Sequence, residues 1–370
     1  MSKQMSNNWP AWLPLRSDLA DQVPYGAPQL DLPVRLNTNE NPFGPSRALV
    51  KDLERAISEI GSQLNRYPDR EAQELRRALA RYINELSDTR FDERAIWVAN
   101  GSNEIIQTIF LAFGGHARKA LGFEPSYSMH RNIARSTGTE WVALERFPDY
   151  SVDVESAAVK IQSVKPALVF LTTPNNPTGT VTALSDIEKL AQLCREQNAL
   201  LVVDEAYQEF SSELSAVTII ERYPNVLVSR TMSKAFAFAG TRVGYLVADV
   251  KVIEALQLVR LPYHLSAATQ ALALVALSYS QELLGNVALL SKERERVREA
   301  LTKHGVKTIA SGANFFLFES ANPGHLWQKM VSAGVLIRDV GLANALRVTI
   351  GTPEENDRFI AAINAALTES

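Results

Sequence analysis

The sequence predicts an α/β fold, with a large domain built on a mostly parallel central sheet and a smaller α+β domain after it. Three observations carry this expectation. From about residue 45 to 250, helical and strand-like segments alternate, which is the order that builds parallel sheets. The strand candidates are continuous apolar runs, as expected of strands covered on both faces. After about residue 262 the texture changes to long helices followed by a short mixed pattern, and 370 residues exceed what one hydrophobic core usually holds.

The first segment, "MSKQMSNNWPAWLPLRSDLADQ", has polar residues and two prolines where a signal peptide needs an apolar core, so residues 1–35 are read as a mobile arm. The large domain is expected over 36–262. "NPFGP" punctuates its start, and "SRALVKDLERAISEI", opening near Ser46, and "EAQELRRALARYINEL" carry apolar residues at helical spacing. "AIWVAN", "ALVFLTT", "ALLVVDEAY", "NVLVSR" and "VGYLVAD" are the strands, and ligands collect where such strands end. The small domain is expected over 263–370, with "NFFLFES", "VLIRDV" and "ALRVTIG" as its strands and the segment through "RLNTNENPFGP" joining it. Between Arg260 and Glu282 an uncharged run is long enough to span a bilayer, but Pro262, His264 and Gln270 within it favour a buried helix after a loop.

Composition narrows the function classes. With 46% hydrophobic residues, 21% charged residues and a net charge of −3, the chain reads as a soluble globular protein without a basic nucleic-acid footprint or a membrane anchor. Its single cysteine, Cys194, allows no internal disulfide, and no Cys/His cluster has metal-ligand spacing. A cytosolic, metal-free protein is expected.

Four stretches carry chemistry. In "VANGSNEIIQTIFLAF" a strand ends at Asn100 and a helix begins around Asn103, so the turn at Gly101 and Ser102 offers free N–H groups at a helix N-terminus. That turn serves a cap as readily as an anion. "TTPNNPTGT" sets Asn175 and Asn176 in a rigid turn at a strand end. "LLVVDEAYQEF" places Asp204, Glu205 and Tyr207 where an apolar strand runs out, either as a solvated strand end or as a carboxylate opposing a cationic ring nitrogen. "SRTMSKAFAFAGTRVGY" sets Lys234 among small and apolar residues, where desolvation lowers a lysine from about 10.4 toward neutrality and makes it nucleophilic toward a carbonyl. A phosphate for Gly101, Ser102, Ser233 and Arg242, an aldehyde for Lys234, a ring nitrogen for Asp204 and a ring hydroxyl for Asn176 and Tyr207 together describe pyridoxal 5′-phosphate.

The ordered set "TPNNPTG", "DEAY", "SKAF" and "GTRVGY" resembles the fold-type I PLP-dependent aminotransferases of the aspartate aminotransferase superfamily. "LNTNENP", "NRYPD", "NGSNE", "LIRD" and "LRVTIGTPEEN" narrow the resemblance to the histidinol-phosphate aminotransferase family, over about residues 24 to 365. The resemblance implies that Lys234 forms the Schiff base and shuttles a proton, that Asp204 pairs with the ring nitrogen, and that Tyr127 stacks on the ring. It implies Ser102, Asn103, Thr231, Ser233 and Arg242 for the phosphate, with Tyr67 reaching the cofactor of the partner subunit in a homodimer. Arg347 and Arg338 are implied to take the substrate's anionic group, with Tyr25 and Asn39 lining the same pocket. The implied substrates are histidinol phosphate and the glutamate/2-oxoglutarate pair, in histidine synthesis. Thr241 and Met232 stand where the family commonly has an apolar residue and a leucine, and neither change removes a charge or a ligand. An aromatic amino acid aminotransferase and a PLP-dependent phosphothreonine decarboxylase share the scaffold and stay open as alternatives.

Overall fold

The computed structural model describes residues 9–22 and 24–368. β1 (Val34–Arg35) precedes two amphipathic helices, α1 (Arg47–Gly61) and α2 (Gln73–Ser87). Ser46 opens α1 as expected, its hydroxyl accepting the Leu49 N–H. There follow β2 (Ile96–Ala99), α3 (Ser102–Phe113), β3 (Lys119–Glu124), α4 (Met129–Ser136), β4 (Glu140–Glu145), α5 (Val154–Val164), β5 (Leu168–Thr172), α6 (Leu184–Glu196), β6 (Leu200–Asp204), β7 (Val226–Thr231) and β8 (Gly244–Val247).

These strands form one seven-stranded sheet in the order β2-β8-β7-β6-β5-β3-β4, in which β8 alone runs against its neighbours. Along each strand successive side chains enter opposite cores. Val98, Val169, Leu201 and Val228 face one side, while Trp97, Phe170, Val202 and Leu227 face the other, under α3, α4 and the later α7 (Val250–Gln257). Burial on both faces is why these strands read as unbroken apolar runs.

Two strands escaped the sequence reading. β3, "KALGFE", is interrupted by Gly122, and β4, "EWVALE", is a half-exposed edge strand bounded by glutamates, so neither presents a clean apolar run.

Beyond α7 come α8 (Ala267–Ser278) and α9 (Ser280–Lys303), which meet at a 72° bend. The uncharged run is therefore a helix after a loop, but less buried than expected. It packs on α1 and α2 with only Ala273 and Ala276 fully buried. Among the described residues no single helix is long and apolar enough to cross a membrane.

The remaining elements are β9 (Phe315–Glu319), α10 (Pro323–Ser332), β10 (Val335–Leu336), β11 (Arg338–Asp339), β12 (Ala345–Thr349) and α11 (Pro353–Thr368). "VLIRDV" is thus two strands. β10 pairs in parallel with β1, drawing the N-terminal segment in, while β11 joins the antiparallel sheet β11-β12-β9.

Candidate active site

The carboxyl ends of β5, β6 and β7 come together because the sheet is parallel there, with Thr172 opposite Asp204 and Asp204 opposite Ser229 in register. Beyond them lies a cavity of about 260 Å³, closed on its other side by segment 37–40 and by Arg338 and Arg347. Every side chain the resemblance assigns to the site lines this cavity except that of Tyr67. That side chain is 79% exposed and stacks on Tyr263 at 4.4 Å.

At one end, α3 begins at Gly101, whose φ of +82° suits glycine. A β-carbon on Gly101 would lie 2.6 Å from Arg242 Nη2, so the guanidinium rests directly on this turn. Gly244 is needed for a second reason: β8 passes so close that a β-carbon there would collide with Gly101 C and Ser102 N. Thr231 Oγ1 donates to Ser233 Oγ at 2.9 Å and accepts the Ser233 N–H, while Arg242 Nη1 reaches Ser233 Oγ at 3.4 Å. A helix N-terminus, hydroxyls and a guanidinium make an anion cradle.

Asp204 and Glu205 are not a solvated strand end; both are buried. Asp204 is 2% exposed, its Oδ2 lies 2.9 Å from His130 Nε2, and its Oδ1 has no hydrogen-bond partner among the described residues. A buried carboxylate oxygen without a donor is costly, so this atom is poised for a ligand N–H. His130 was missed in the sequence, although it stands three residues after Tyr127 in "PSYSMH", one helical turn away. Its ring packs edge-on against Tyr127.

Lys234 Nζ donates to Thr38 O at 3.1 Å. The side chain is half-buried because it faces the cavity, yet protein surrounds its amine. Burial pushes the amine down to about 8, with Arg347 and Arg242 adding to the fall and Glu40 opposing it. Glu40 lines the cavity, and the sequence reading passed over it. Burial also pushes the Tyr207 hydroxyl up to about 12 and raises Tyr127 further.

On the opposite side Arg347 is held by Asn176 Oδ1 at 2.6 Å and Asn37 O at 2.7 Å, over the ring of Phe315. Burial lowers it to about 10, so it stays charged at neutral pH. Arg338 lies directly across from it in the β11–β12 ladder. Like charges so opposed are unfavourable. Arg347 Nε and Arg338 Nη1 are also buried without partners among the described residues, so the pair is arranged for an anion that neither strand supplies. Tyr25 closes this region, edge-on to Tyr127 at 6.3 Å.

Behind the cavity sits a cluster the sequence did not disclose. Arg230, 1% exposed, gives Nε and Nη2 to Glu205 and Nη1 to Glu209. Glu205 also accepts Ser215 Oγ and Ala216 N, so its oxygens are satisfied. The pair fastens the end of β6 to β7 and sets Asp204 and Lys234 relative to each other.

Comparison with known proteins agrees with this geometry. Residues 33–363 match the model of the family described as aminotransferase class I and II. The chain is 53% identical over 353 residues to the histidinol-phosphate aminotransferase of Mycolicibacterium vanbaalenii, covering 95% of each. Its fold matches the crystal structure of histidinol-phosphate aminotransferase from Sinorhizobium meliloti in complex with pyridoxal-5′-phosphate, with a TM-score of 0.82 at 23% identity over 91% of this chain and 92% of that one. It also matches L-threonine-O-3-phosphate decarboxylase from Porphyromonas gingivalis, with a TM-score of 0.75 at 24% identity over 90% and 99%. Two opposed arginines, a lowered lysine and a half-satisfied buried aspartate thus sit in a chain that belongs to the class I and II aminotransferase family.

Proposed function

We propose that the protein is a pyridoxal 5′-phosphate enzyme that moves an amino group between L-histidinol phosphate and 2-oxoglutarate, giving imidazole-acetol phosphate and L-glutamate in L-histidine biosynthesis. The observation that carries this reading is the cross-strand opposition of Arg338 and Arg347 in the cavity that holds Lys234. Two facing guanidinium groups suit a dianionic phosphate better than a lone carboxylate, and bidentate geometry serves glutamate in its turn. The relative named above, more than half identical, supports the same substrate.

The residues fit the cofactor. The unpartnered Asp204 Oδ1 suits a protonated ring nitrogen, and the Gly101–Ser102 turn with Asn103, Thr231, Ser233 and Arg242 suits the phosphate. Tyr127 would cover the ring face, Asn176 and Tyr207 would meet the ring hydroxyl, and Lys234 would hold the aldehyde carbon. When bound, the cofactor would supply an electron sink for the pair left at the substrate's Cα.

Each residue then has a task. The Lys234 amine, lowered to about 8, takes the proton from Cα and returns it, because a base near neutrality works in both directions. Asp204, steadied by His130, would keep the proton, and with it the positive charge, on the ring nitrogen. Arg338 and Arg347 fix the substrate's anionic end so that its Cα meets Lys234.

We take the active unit to be a homodimer in which Tyr67 serves the partner's site. Its exposure, its stacking on Tyr263 and the exposed Leu64 and Leu261 nearby in the chain support this. The sheets support a large domain over 36–262 and a small one over 263–370 that β1 joins, while the arm expected over 1–35 lies partly outside the described residues. A cytosolic setting is in keeping with the single, buried, unpaired Cys194.

The test is a rapid-mixing half-reaction on cofactor-loaded protein, following cofactor absorbance with histidinol phosphate, phenylalanine and glutamate in turn. A preference for histidinol phosphate over phenylalanine of about a hundredfold or more, the reach of one charged hydrogen-bonded pair, supports the reading. Comparable rates would make the protein a broad aromatic aminotransferase. Carbon dioxide release from phosphothreonine would move it to decarboxylation.

A further inference from the structure

Asn39 lines the cavity, but its side chain is committed elsewhere. It is 1% exposed, and its backbone is held at φ +56°, a left-handed conformation that asparagine tolerates better than most residues. Asn39 N donates to Thr349 Oγ1 at 3.0 Å. The Thr349 hydroxyl, accepting that hydrogen bond, directs its own proton at Asn39 Oδ1, 2.9 Å away. The amide orientation is thereby set, and Nδ2 faces Tyr207 Oη at 2.9 Å. A phenol that accepts on this side has its proton left for the cavity.

From this chain of donors we infer that Asn39 is a positioning residue. It makes the Tyr207 hydroxyl a donor into the cavity and ties it to β12, the strand that carries Arg347 two residues before Thr349. Segment 36–39 is gripped by the same strand: Thr349 N donates to Leu36 O and Arg347 Nη2 to Asn37 O. The side that takes the substrate's anion and the hydroxyl that faces the cofactor ring therefore share one rigid connection. This rests on the PLP reading for what Tyr207 donates to, namely the ring hydroxyl oxygen. Donation there stabilises negative charge on that oxygen and so sets the pH at which the bound cofactor's absorbance titrates.

The experiment is a spectral pH titration of the PLP-loaded dimer or monomer, as isolated, for wild type, Asn39→Gly, Thr349→Val, Tyr207→Phe and the double variant Asn39→Gly/Tyr207→Phe. Glycine is chosen because it keeps the left-handed backbone without strain. Thr349→Val removes the group that orients the amide and leaves Asn39 itself in place. Both single variants should move the absorbance midpoint in the direction that Tyr207→Phe moves it, by about half to one pH unit, the worth of one hydrogen bond. Asn39→Gly should add nothing in the Tyr207→Phe background. A wild-type midpoint in folded Asn39→Gly and Thr349→Val, or a full extra shift in the double variant, overturns the inference. A wild-type chain that takes up no PLP overturns the proposed function itself, and with it this role for Asn39.

Discussion

Lys234→Met in the cofactor-free protein should stabilise the fold at neutral pH. The lysine amine sits at about 8 in the folded chain against 10.5 for a free side chain, so the fold bears the cost of holding a cation there. At about 1.36 kcal/mol per pH unit the gap amounts to about 3 kcal/mol, and water in the cavity reduces it to about 2. The sign follows from proton counting. Between about 8 and 10.5 the unfolded lysine is protonated while the folded one is not, so wild-type stability rises with pH across that window. Below about 8 the whole penalty is present. Methionine keeps the length and removes the charge, so it escapes the penalty at every pH. Urea unfolding of both proteins, without cofactor and at one protein concentration, should show Lys234→Met more stable by about 2 kcal/mol at pH 7 and the difference shrinking toward pH 10.5. Equal stability at pH 7, or a difference that does not shrink as pH rises, would refute the reasoning. The same variant should bear no transaminase activity.

Arg338→Ala should raise KM for histidinol phosphate by about 10- to 100-fold and affect glutamate less, and equal losses for both substrates would make Arg338 structural. Gly244→Ala should weaken cofactor binding, measured by spectral titration, because a β-carbon there displaces the Gly101–Ser102 turn; wild-type affinity would show the turn free to yield. Glu205→Gln leaves the Arg230 guanidinium buried without its main carboxylate and should cost about 3–5 kcal/mol in urea unfolding, whereas an unchanged midpoint would mean Glu209 suffices. Mixing Lys234→Ala with Tyr67→Ala protein and allowing subunits to exchange should restore activity, since one hybrid site is intact. Mixtures as inactive as their parents would place Tyr67 outside the partner's site.

The residues proposed to hold the cofactor were legible because they lie in short contiguous stretches at strand ends. "DEAY" and "SKAF" each announce a polar break after an apolar run, and parallel topology brings such ends together. What stayed hidden depends on register and burial. The resemblance joined Arg338 and Arg347 on one anion, but that they face each other directly across a ladder is visible only in the β11–β12 register. Arg230 looks like any strand-end arginine until Glu205 and Glu209 are folded against it. The commitment of Asn39 to Tyr207 spans 168 positions and no local pattern could give it. β3 and β4 were missed because a glycine and an exposed edge break the apolar signal.

The cavity gathers Lys234, Arg242, Arg338 and Arg347 against only Glu40 and Asp204, and Asp204 is already engaged by His130. Such an excess of positive charge weakens the empty protein and suits anions, one at each end on the function proposed above. The lowered basicity of Lys234 draws its second largest cause from Arg347. An anion bound by Arg338 and Arg347 cancels that influence, so the amine grows more basic when a substrate arrives. On the function proposed above, about half of the Lys234 amines are unprotonated at pH 8 before substrate arrives, ready to hold a carbonyl carbon, and the filled site would strengthen the amine for the proton at Cα. One side chain would serve both demands because its chief electrostatic neighbour, Arg347, is also the group proposed to anchor the substrate.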